Sequence, residues 1–247
     1  MSVFYTQEQL SSLNRKNIPR HVAIIPDGNR RWASLQKQDA AFGHKTGCDI
    51  LLDIVEAASD IDVEYLTLYT FSTDNWKRSK FEVDTLMALL KVYLTDQLPR
   101  MIDKGVKLLT IGDLTPLPED IKEVVHKCKE ATQNCDKIHL ILALNYGSRE
   151  EITRAFKKIL SEVEQGKLDK GAVNEEMVSR YLDTSQFPDP ELLIRTSGEK
   201  RISNYLLWQL SYSEIYLTDT YWPEFRPNDF LEAIMDYQKR ERRMGGS

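Results

Sequence analysis

The alternation of short apolar runs with longer amphipathic segments constrains the fold of this chain most strongly. Runs rich in β-branched residues occur near 21–25, 63–70, 106–111, 138–144, 192–195 and 215–217. Segments with helical periodicity lie between them, near 29–37, 44–58, 82–103, 119–131, 148–165, 174–182, 204–211 and 227–242. Strands that alternate with helices are typical of βαβ units. The sequence therefore predicts a single α/β domain whose mainly parallel central sheet is flanked by helices.

Charge and composition narrow the class of protein. The 247 residues contain 33 basic and 38 acidic side chains, and the net charge of −5 disfavours nucleic acid as a partner. Residues 1–20 lack the apolar core of a signal peptide, and no apolar run approaches the ~20 residues that span a bilayer. The three cysteines show no metal-type spacing. A reduced, cytoplasmic setting is the expectation.

A first polar cluster follows the apolar run at 21–25. Pro26 ends the run, and the next residues predict a tight turn and a helix start: Asp27, Gly28, Asn29, Arg30, Arg31 and Trp32. A helix N-terminus beside arginines can bind an anion, and a lone aspartate there can hold a divalent cation that bridges the anion. The alternative is that Asp-Gly-Asn serves only as a turn.

A second polar cluster follows the second predicted strand. It holds hydroxyl, amide, aromatic and cationic side chains, namely Ser72, Thr73, Asp74, Asn75, Trp76, Lys77 and Arg78. Such a mixture can bind phosphate oxygens and cover an apolar chain. It would equally suit a polar loop that caps the helix predicted to start near Glu82.

The third polar cluster spans residues 195–204 and is the richest. It contains two arginines, several hydroxyls and a glycine before a predicted helix start, a combination that suits binding of a diphosphate. The candidate site residues of this cluster are Arg195, Arg201, Ile202 and Ser203. A solvated charged loop is the alternative. Further on, the lone carboxylate of Glu214 precedes an apolar run and is a candidate second ligand for a hard cation, although an ordinary surface glutamate would have the same pattern.

These clusters resemble the cis-prenyltransferase family, in particular its bacterial undecaprenyl diphosphate synthases. The resemblance begins at about residue 19, which separates an N-terminal extension, 1–18, from a catalytic domain, 19–247. Its matching stretches are HVAIIPDGNRRWA at 21–33, GHK at 43–45, LTLYTFSTDNWKR at 66–78, EV at 82–83, LNYGSREEI at 144–152, LIRTSGEKRISNYLLWQLSYSEIY at 193–216 and ERRMGG at 241–246.

The resemblance implies a butterfly-like homodimer with an apolar tunnel between the sheet and two helices. The implied reaction adds isopentenyl diphosphate, with cis double bonds, to an allylic diphosphate such as farnesyl diphosphate. The reaction would yield a polyprenyl diphosphate. The expected product is undecaprenyl diphosphate, which would serve the synthesis of a cell-wall lipid carrier. Mg²⁺ is the implied cofactor, and the apolar product implies peripheral membrane contact.

The resemblance also implies roles for individual residues. Asp27 and Glu214 match magnesium-associated positions, and Asp27 and Asn75 are expected to be catalytic. Residues expected around the allylic diphosphate are Gly28, Asn29, Arg31, His44 and Arg78, and those expected around isopentenyl diphosphate are Arg195, Arg201 and Ser203. Ser72, Asn75, Trp76 and Glu82 match positions near the reacting ends. The tail residues Arg243, Met244 and Gly245 are expected to reach the partner subunit.

Two departures from the family pattern, one open question and two alternative functions remain to be stated. Arg30 stands where glycine is common, and Ala40 stands where arginine is usual. Asn75 has no useful basicity, so His44, Asp27 or a substrate diphosphate oxygen are the candidate proton acceptors. An all-helical trans-prenyltransferase is set aside because the chain has no Asp-Asp dipeptide. A non-catalytic partner subunit is disfavoured because Asp27 and the phosphate-loop residues are present.

Overall fold

All six apolar runs form strands. In the computed structural model, which describes residues 4–241, the strands are β1 His21–Ile25, β2 Tyr65–Ser72, β3 Val106–Ile111, β4 Ile138–Tyr146, β5 Leu192–Arg195 and β6 Glu214–Leu217. They form one six-stranded sheet in the order β3-β4-β2-β1-β5-β6. Every neighbouring pair is parallel. The predicted α/β fold with a parallel sheet is confirmed.

Helices flank this sheet. Within residues 4–241 they are α1 Gln7–Ser12, α2 Asn29–Leu35, α3 Ala40–Asp49, α4 Leu51–Asp60, α5 Lys80–Asp103, α6 Glu119–Ala131, α7 Ser148–Glu164, α8 Glu175–Tyr181 and α9 Pro227–Lys239. None of these described helices has the length and hydropathy that crossing a bilayer requires.

The core consists of two apolar layers, one on each face of the sheet. Because successive side chains of a strand point to opposite faces, Val22 and Ile24 of β1 belong to the larger layer, whereas Ala23 and Ile25 belong to the smaller one. All five residues of β1 are buried, as expected for a central parallel strand. Tyr5 and Leu13 of the N-terminal segment also pack in the larger layer.

Two helix predictions were wrong. Residues 204–211 form a series of turns rather than a helix, because Ser203, Asn204 and Leu206 have φ values of 51°, 60° and 47°, which a right-handed helix does not allow. The segment predicted as one helix at 44–58 is divided into α3 and α4 at Ile50, whose N–H bonds to the carbonyl of Cys48. Helix α3 also begins earlier than expected, because the carboxylate of Asp39 caps it by accepting from the N–H of Phe42 at 2.9 Å.

The parallel sheet brings the polar clusters to one edge. Ile25 at the end of β1 is level with Arg195 at the end of β5, so the first and third clusters are neighbours. The second cluster follows β2, on the other side of β1, and register shifts at Tyr69, Phe71 and Ser72 mark the end of that strand. Ligands of open α/β sheets bind at this carboxyl edge.

Candidate active site

A cavity of about 790 Å³ opens at the carboxyl edge and extends between the sheet and helices α3, α4 and α5. Its mouth is polar and is formed by the three clusters. Its depth is apolar and is lined by Cys48, Leu51, Leu68, Leu86, Met87, Leu89, Leu90, Tyr93 and Leu142. The volume is within the range of sites that enclose small organic ligands. The shape therefore suits a ligand with a charged head and a hydrocarbon tail.

Most of the residues expected at the site line this cavity. They are Asp27, Gly28, Asn29, Arg30, Arg31, His44, Ser72, Asp74, Asn75, Arg78, Arg195, Arg201 and Ser203. They come from segments far apart in the sequence, and the common edge of the parallel strands brings them together.

Asp27 lies at the centre of the mouth. Its Oδ2 accepts from Arg195 Nη2 at 2.6 Å, and its Oδ1 accepts from the N–H of Gly28 at 2.7 Å. Arg31 and Arg201 approach the carboxylate to 3.6 and 4.0 Å. The Thr196 hydroxyl fixes the backbone by donating to the Asp27 carbonyl at 2.7 Å and accepting from its N–H at 2.8 Å. The carboxylate is thus held between the arginines expected at the two substrate sites.

Glycine at position 28 is required by the turn that directs Asp27 into the mouth. Gly28 has φ of 103°, in the left-handed region that favours glycine. A Cβ there would also lie 2.6 Å from Tyr221 Cδ1 and 2.8 Å from Ser197 Cβ. A larger residue would therefore disturb the turn between β1 and α2.

The mouth carries an excess of positive charge. Five arginines, Arg30, Arg31, Arg78, Arg195 and Arg201, share the three carboxylates of Asp27, Glu82 and Glu199. Two positive charges in this group are unmatched, although the whole chain is negative. Arginine presents donors in a geometry that matches phosphate oxygens. The excess charge therefore favours a polyanion such as a diphosphate.

Arg195 is the buried member of the arginine group, with a side chain only 3% exposed. Besides Asp27, it donates to Ser203 Oγ at 2.9 Å and to the carbonyl of Arg201. Its Nε is buried without a hydrogen-bond partner in the part of the chain that the structure describes. Arg195 therefore links the first and third clusters, and the turns at 203–206 place the acceptors that it needs.

Two further polar atoms at the mouth are buried and have no partner among residues 4–241, Asn29 Oδ1 and His44 Nε2. The pKa of His44 is lowered to about 4, chiefly by burial and also by the charges of Arg78 and Arg30, while Glu82 acts in the opposite direction. The imidazole is therefore neutral at pH 7. Buried polar groups are normally satisfied, so these two atoms are exceptions among the described residues of the mouth.

The second cluster forms a short 3-10 helix, Thr73–Lys77, after β2. Asn75 Oδ1 accepts from the N–H of Ser72 at 3.0 Å, which fixes both residues at the cavity wall. Lys77 donates to Asp74 at 2.6 Å. This segment does not cap the next helix, α5, because the side chain of Ser79 provides that cap.

Six of the expected residues do not line the cavity. Glu82 supports its wall through ion pairs with Arg78 at 2.9 Å and with Arg30 at 3.6 Å. The indoles of two tryptophans are engaged elsewhere, Trp32 with Glu224 at 2.9 Å and Trp76 with Asn145 at 2.8 Å. The others are Thr73, which starts the 3-10 helix, Ile202, which packs on the smaller apolar layer, and Glu214.

Glu214 is at the opposite end of the sheet from Asp27 within this chain. It is the first residue of β6 and pairs with Leu192, the first residue of β5, whereas Asp27 follows the last residue of β1. Its carboxylate accepts from Arg240 Nη1 at 2.7 Å. The two acids do not meet in one chain, so a metal role for Glu214 stays a prediction. The tail residues Arg243, Met244 and Gly245 lie outside the described residues.

The carboxylate of Asp27 fits a Mg²⁺ ion that is bound jointly by the protein and by the substrate. In residues 4–241, no group of three His, Cys, Asp or Glu side chains is arranged as a metal site. Mg²⁺ is commonly held by one or two carboxylates together with substrate phosphates and water. A partly exposed Asp27 beside an anion-binding mouth matches that pattern.

Sequence reasoning missed several residues that shape the mouth. Glu199 accepts from Arg31 at 2.8 Å and from Arg201, and Ser197 accepts from Arg31 at 2.5 Å. Trp222 lies on the cavity wall and donates to the Gly47 carbonyl at 2.8 Å. Glu199 and Ser197 could have been found as the polar residues between Arg195 and Arg201, but Trp222 belongs to no polar cluster of the sequence.

Comparison with known proteins gives consistent matches along nearly the whole chain. A family model described as "Putative undecaprenyl diphosphate synthase" matches residues 25–245. Isoprenyl transferase from Chlamydia trachomatis serovar D is 46% identical over 97% of this chain and 95% of its own length. Isoprenyl transferase from Bacillus cereus is 48% identical over 93% of this chain and 89% of its own length.

Two solved structures have the same fold. Lavandulyl diphosphate synthase from Lavandula x intermedia, solved in complex with dimethylallyl diphosphate, has a TM-score of 0.91 and 36% identity, covering 94% of this chain and 100% of that one. A probable undecaprenyl diphosphate synthase from Campylobacter jejuni has a TM-score of 0.78 and 34% identity, covering 93% and 100%.

Proposed function

Because this chain belongs to the undecaprenyl diphosphate synthase family of cis-prenyltransferases, we propose that it extends farnesyl diphosphate with isopentenyl diphosphate to undecaprenyl diphosphate. The chain is a cis-prenyltransferase that lengthens isoprenoids. What we propose is the identity of the primer, the length of the product and the use of that product as a cell-wall lipid carrier. The observation that carries the proposal is that one cavity combines an arginine-rich mouth with an apolar depth.

The two diphosphates would occupy neighbouring parts of the mouth. The allylic diphosphate is assigned to Gly28, Asn29, Arg31, His44 and Arg78, on the side from which the apolar depth of the cavity continues. Isopentenyl diphosphate is assigned to Arg195, Arg201 and Ser203. Asp27 lies between the two groups of arginines, which supports its role in aligning both substrates.

The reaction needs charge stabilisation more than covalent catalysis. The allylic C–O bond breaks, the alkene of isopentenyl diphosphate forms the new C–C bond, and a proton leaves to restore the double bond. Arg31 and Arg78 would stabilise the leaving diphosphate, and the apolar wall would exclude water from the allylic cation. When bound, Mg²⁺ would neutralise further charge on the diphosphate, with Asp27 as its protein ligand. Asn75 would position the reacting ends.

The structure bears on the choice of proton acceptor. Since burial lowers the pKa of His44 to about 4, this imidazole is a weak base in the ligand-free chain. We therefore favour a substrate diphosphate oxygen as the acceptor, with His44 as a hydrogen-bonding neighbour.

We also propose that the chain works as a cytoplasmic homodimer with peripheral membrane contact as product leaves. The family membership supports the dimer, and the apolar product accounts for the membrane contact.

The proposed function is tested by incubating purified protein with Mg²⁺, radiolabelled isopentenyl diphosphate and farnesyl diphosphate. Chromatography against polyprenol standards gives product length, and NMR of the product gives double-bond geometry. An undecaprenyl product with cis added units is expected. A product of another length would overturn the undecaprenyl assignment. If the protein extends geranyl diphosphate but not farnesyl diphosphate, the assignment of farnesyl diphosphate as the primer is wrong.

A further inference from the structure

Trp222 joins two parts of the mouth that come from distant segments of the chain. The residue is only 2% exposed and lies on the cavity wall. Its backbone N–H donates to the carbonyl of Asp27 at 3.0 Å, and its indole Nε1–H donates to the carbonyl of Gly47 at 2.8 Å. The first acceptor is in the turn after β1, and the second is in α3. One residue therefore ties α3 to the turn that carries the central carboxylate.

The indole binds a carbonyl at the end of a helix. Gly47 is the third residue from the end of α3, and the carbonyls of the last turn have no partner within their own helix. The bond is buried, and a buried carbonyl without a partner costs free energy. Stacking on Phe225, with ring centroids 5.7 Å apart, supports the plane of the indole. Trp222 thus caps the end of α3 from outside the helix.

Glycine at position 47 allows α3 to approach this closely. A Cβ there would lie 2.7 Å from Trp222 Cδ1 and 2.6 Å from Asn29 Oδ1. One turn earlier in α3, a Cβ on Gly43 would overlap the carbonyl of Asn29. Packing on these two glycines limits how near α3 can come to the turn after β1. The indole hydrogen bond limits how far α3 can move away from it.

The position of His44 depends on the position of α3. His44 lies three residues before Gly47, about 4.5 Å along the helix axis, and both residues line the cavity. His44 Nε2 is buried and has no hydrogen-bond partner among the residues that the structure describes. The helix, rather than a hydrogen bond of its own, therefore positions this nitrogen at the mouth.

From these contacts we infer that Trp222 is a positioning residue for the allylic substrate. Its indole N–H holds the end of α3, and with it the imidazole of His44, against the turn that carries Asp27. The inference rests on the proposed function, which assigns His44 to the allylic diphosphate. The residues assigned to isopentenyl diphosphate belong to the third cluster, and none of them is in α3. Loss of the indole bond should therefore affect the two substrates unequally.

Phenylalanine at position 222 tests the inference, because it removes the indole N–H and keeps an aromatic ring and the backbone bond to Asp27. Steady-state kinetics with each substrate varied in turn gives KM and kcat. In Trp222→Phe, the KM for the allylic primer should rise about tenfold, the effect of losing one buried hydrogen bond. The KM for isopentenyl diphosphate should change much less, and so should kcat. Thermal unfolding verifies that the variant folds.

A double-mutant cycle with His44→Ala tests whether the indole acts through the imidazole. The cycle is needed because Trp222 itself lies on the cavity wall. If Trp222 acts by positioning His44, Trp222→Phe should have little further effect on the primer KM once the imidazole is absent. The same tenfold rise in the His44→Ala background would overturn the inference, because Trp222 would then act without His44.

Gly47→Ala tests the same contact from the side of the helix, and it remains informative if Trp222→Phe does not fold. Alanine favours the helix, but its Cβ would push α3 away from Trp222 and Asn29. The primer KM should again rise more than the KM for isopentenyl diphosphate. A primer KM equal to that of the wild type would contradict the inference.

Trp208→Phe is the matched control. The indole of Trp208 donates to Ser179 Oγ at 3.0 Å, and Trp208 does not line the cavity. This variant also loses one indole hydrogen bond, but the bond does not involve α3. Both KM values should therefore equal those of the wild type, and a rise in the primer KM would show that loss of any such bond has this effect.

The possible results separate the inference from the function on which it rests. A folded Trp222→Phe that elongates with a wild-type primer KM would overturn the inference and leave the function intact. An equal rise in the KM of both substrates would also overturn it, because the effect would not be specific to the allylic site. A wild-type protein that extends no allylic primer would overturn the proposed function and the inference together.

Discussion

Replacing Asp27 with alanine is expected to reduce both turnover and stability, for separate reasons. Turnover should fall more than ~100-fold, the effect of losing one strong electrostatic contact in a transition state. Stability should fall because Arg195, only 3% exposed, loses its acceptor at 2.6 Å. Removing one member of a buried ion pair costs about 3–5 kcal/mol. Arg195 keeps Ser203 Oγ and the Arg201 carbonyl as acceptors, so we expect ~2 kcal/mol.

The two losses are measured separately. Urea unfolding gives the free energy of unfolding, and the expected loss corresponds to a melting temperature lower by about 4–8 °C for a domain of this size. Turnover is measured with labelled isopentenyl diphosphate. Asp27→Asn should show a similar loss of turnover with a smaller loss of stability, because the single amide oxygen can still accept from Arg195, although the amide NH2 group cannot accept from the N–H of Gly28.

An exposed ion pair provides the control for stability. Glu176 pairs with Arg180 at 2.5 Å, and their side chains are 73% and 67% exposed. Because exposed pairs contribute little, Glu176→Ala should change the free energy of unfolding by less than ~0.5 kcal/mol. Near-normal turnover in folded Asp27→Ala would refute the catalytic assignment. Wild-type stability in that variant would refute the energetic role of the Asp27–Arg195 pair.

Three further predictions follow from the site and the core. Arg201→Ala should raise the KM for isopentenyl diphosphate more than the KM for the allylic primer, and a larger effect on the primer in steady-state kinetics would mean that the two sites are exchanged. Arg30, which lines the mouth, is expected to supply the charge absent at Ala40. Arg30→Gly should therefore impair farnesyl diphosphate use, and adding Ala40→Arg to that variant should restore part of it. The coupling energy of this double-mutant cycle should exceed ~0.5 kcal/mol, and strictly additive effects of the two substitutions would show that the positions do not compensate. Burial lowers the pKa of His21 from 6.5 to about 4, so the unfolded chain binds more protons between these values. The contribution of His21 to stability is complete above pH 6.5 and is lost as the pH falls towards 4, with a slope approaching ~1.4 kcal/mol per pH unit. Urea unfolding at several pH values should show a shallower slope for His21→Gln, and equal slopes would contradict the prediction.

The fold was predictable because local patterns repeat along the chain. Each apolar run became a strand, and the runs alternate with amphipathic segments as βαβ units require. The segment at 204–211 failed because its apolar residues have helical spacing but its backbone does not. Three residues there have positive φ. The hydrogen bonds from the N–H groups of Ser148 and Arg149 to Asn204, at 2.8 and 2.9 Å, belong to a loop that packs on another helix.

Much of the mouth was predictable as well, for a physical reason. Parallel strands end at the same edge, so polar clusters that follow β1, β2 and β5 must meet there. What the sequence did not show is how the charges are shared. The pairing of Arg31 with Glu199 and the role of Glu82 as a common partner of Arg30 and Arg78 depend on side-chain distances across elements.

Local sequence patterns were sufficient to predict the α/β fold, the parallel sheet and the three clusters, because strand periodicity and turn residues act over short distances. The position of Glu214 at the far end of the sheet and the burial of Arg195 became apparent only in the folded chain. These features depend on which helix packs on which strand and at what register. Contacts between residues distant in sequence determine that packing, and no local pattern records them.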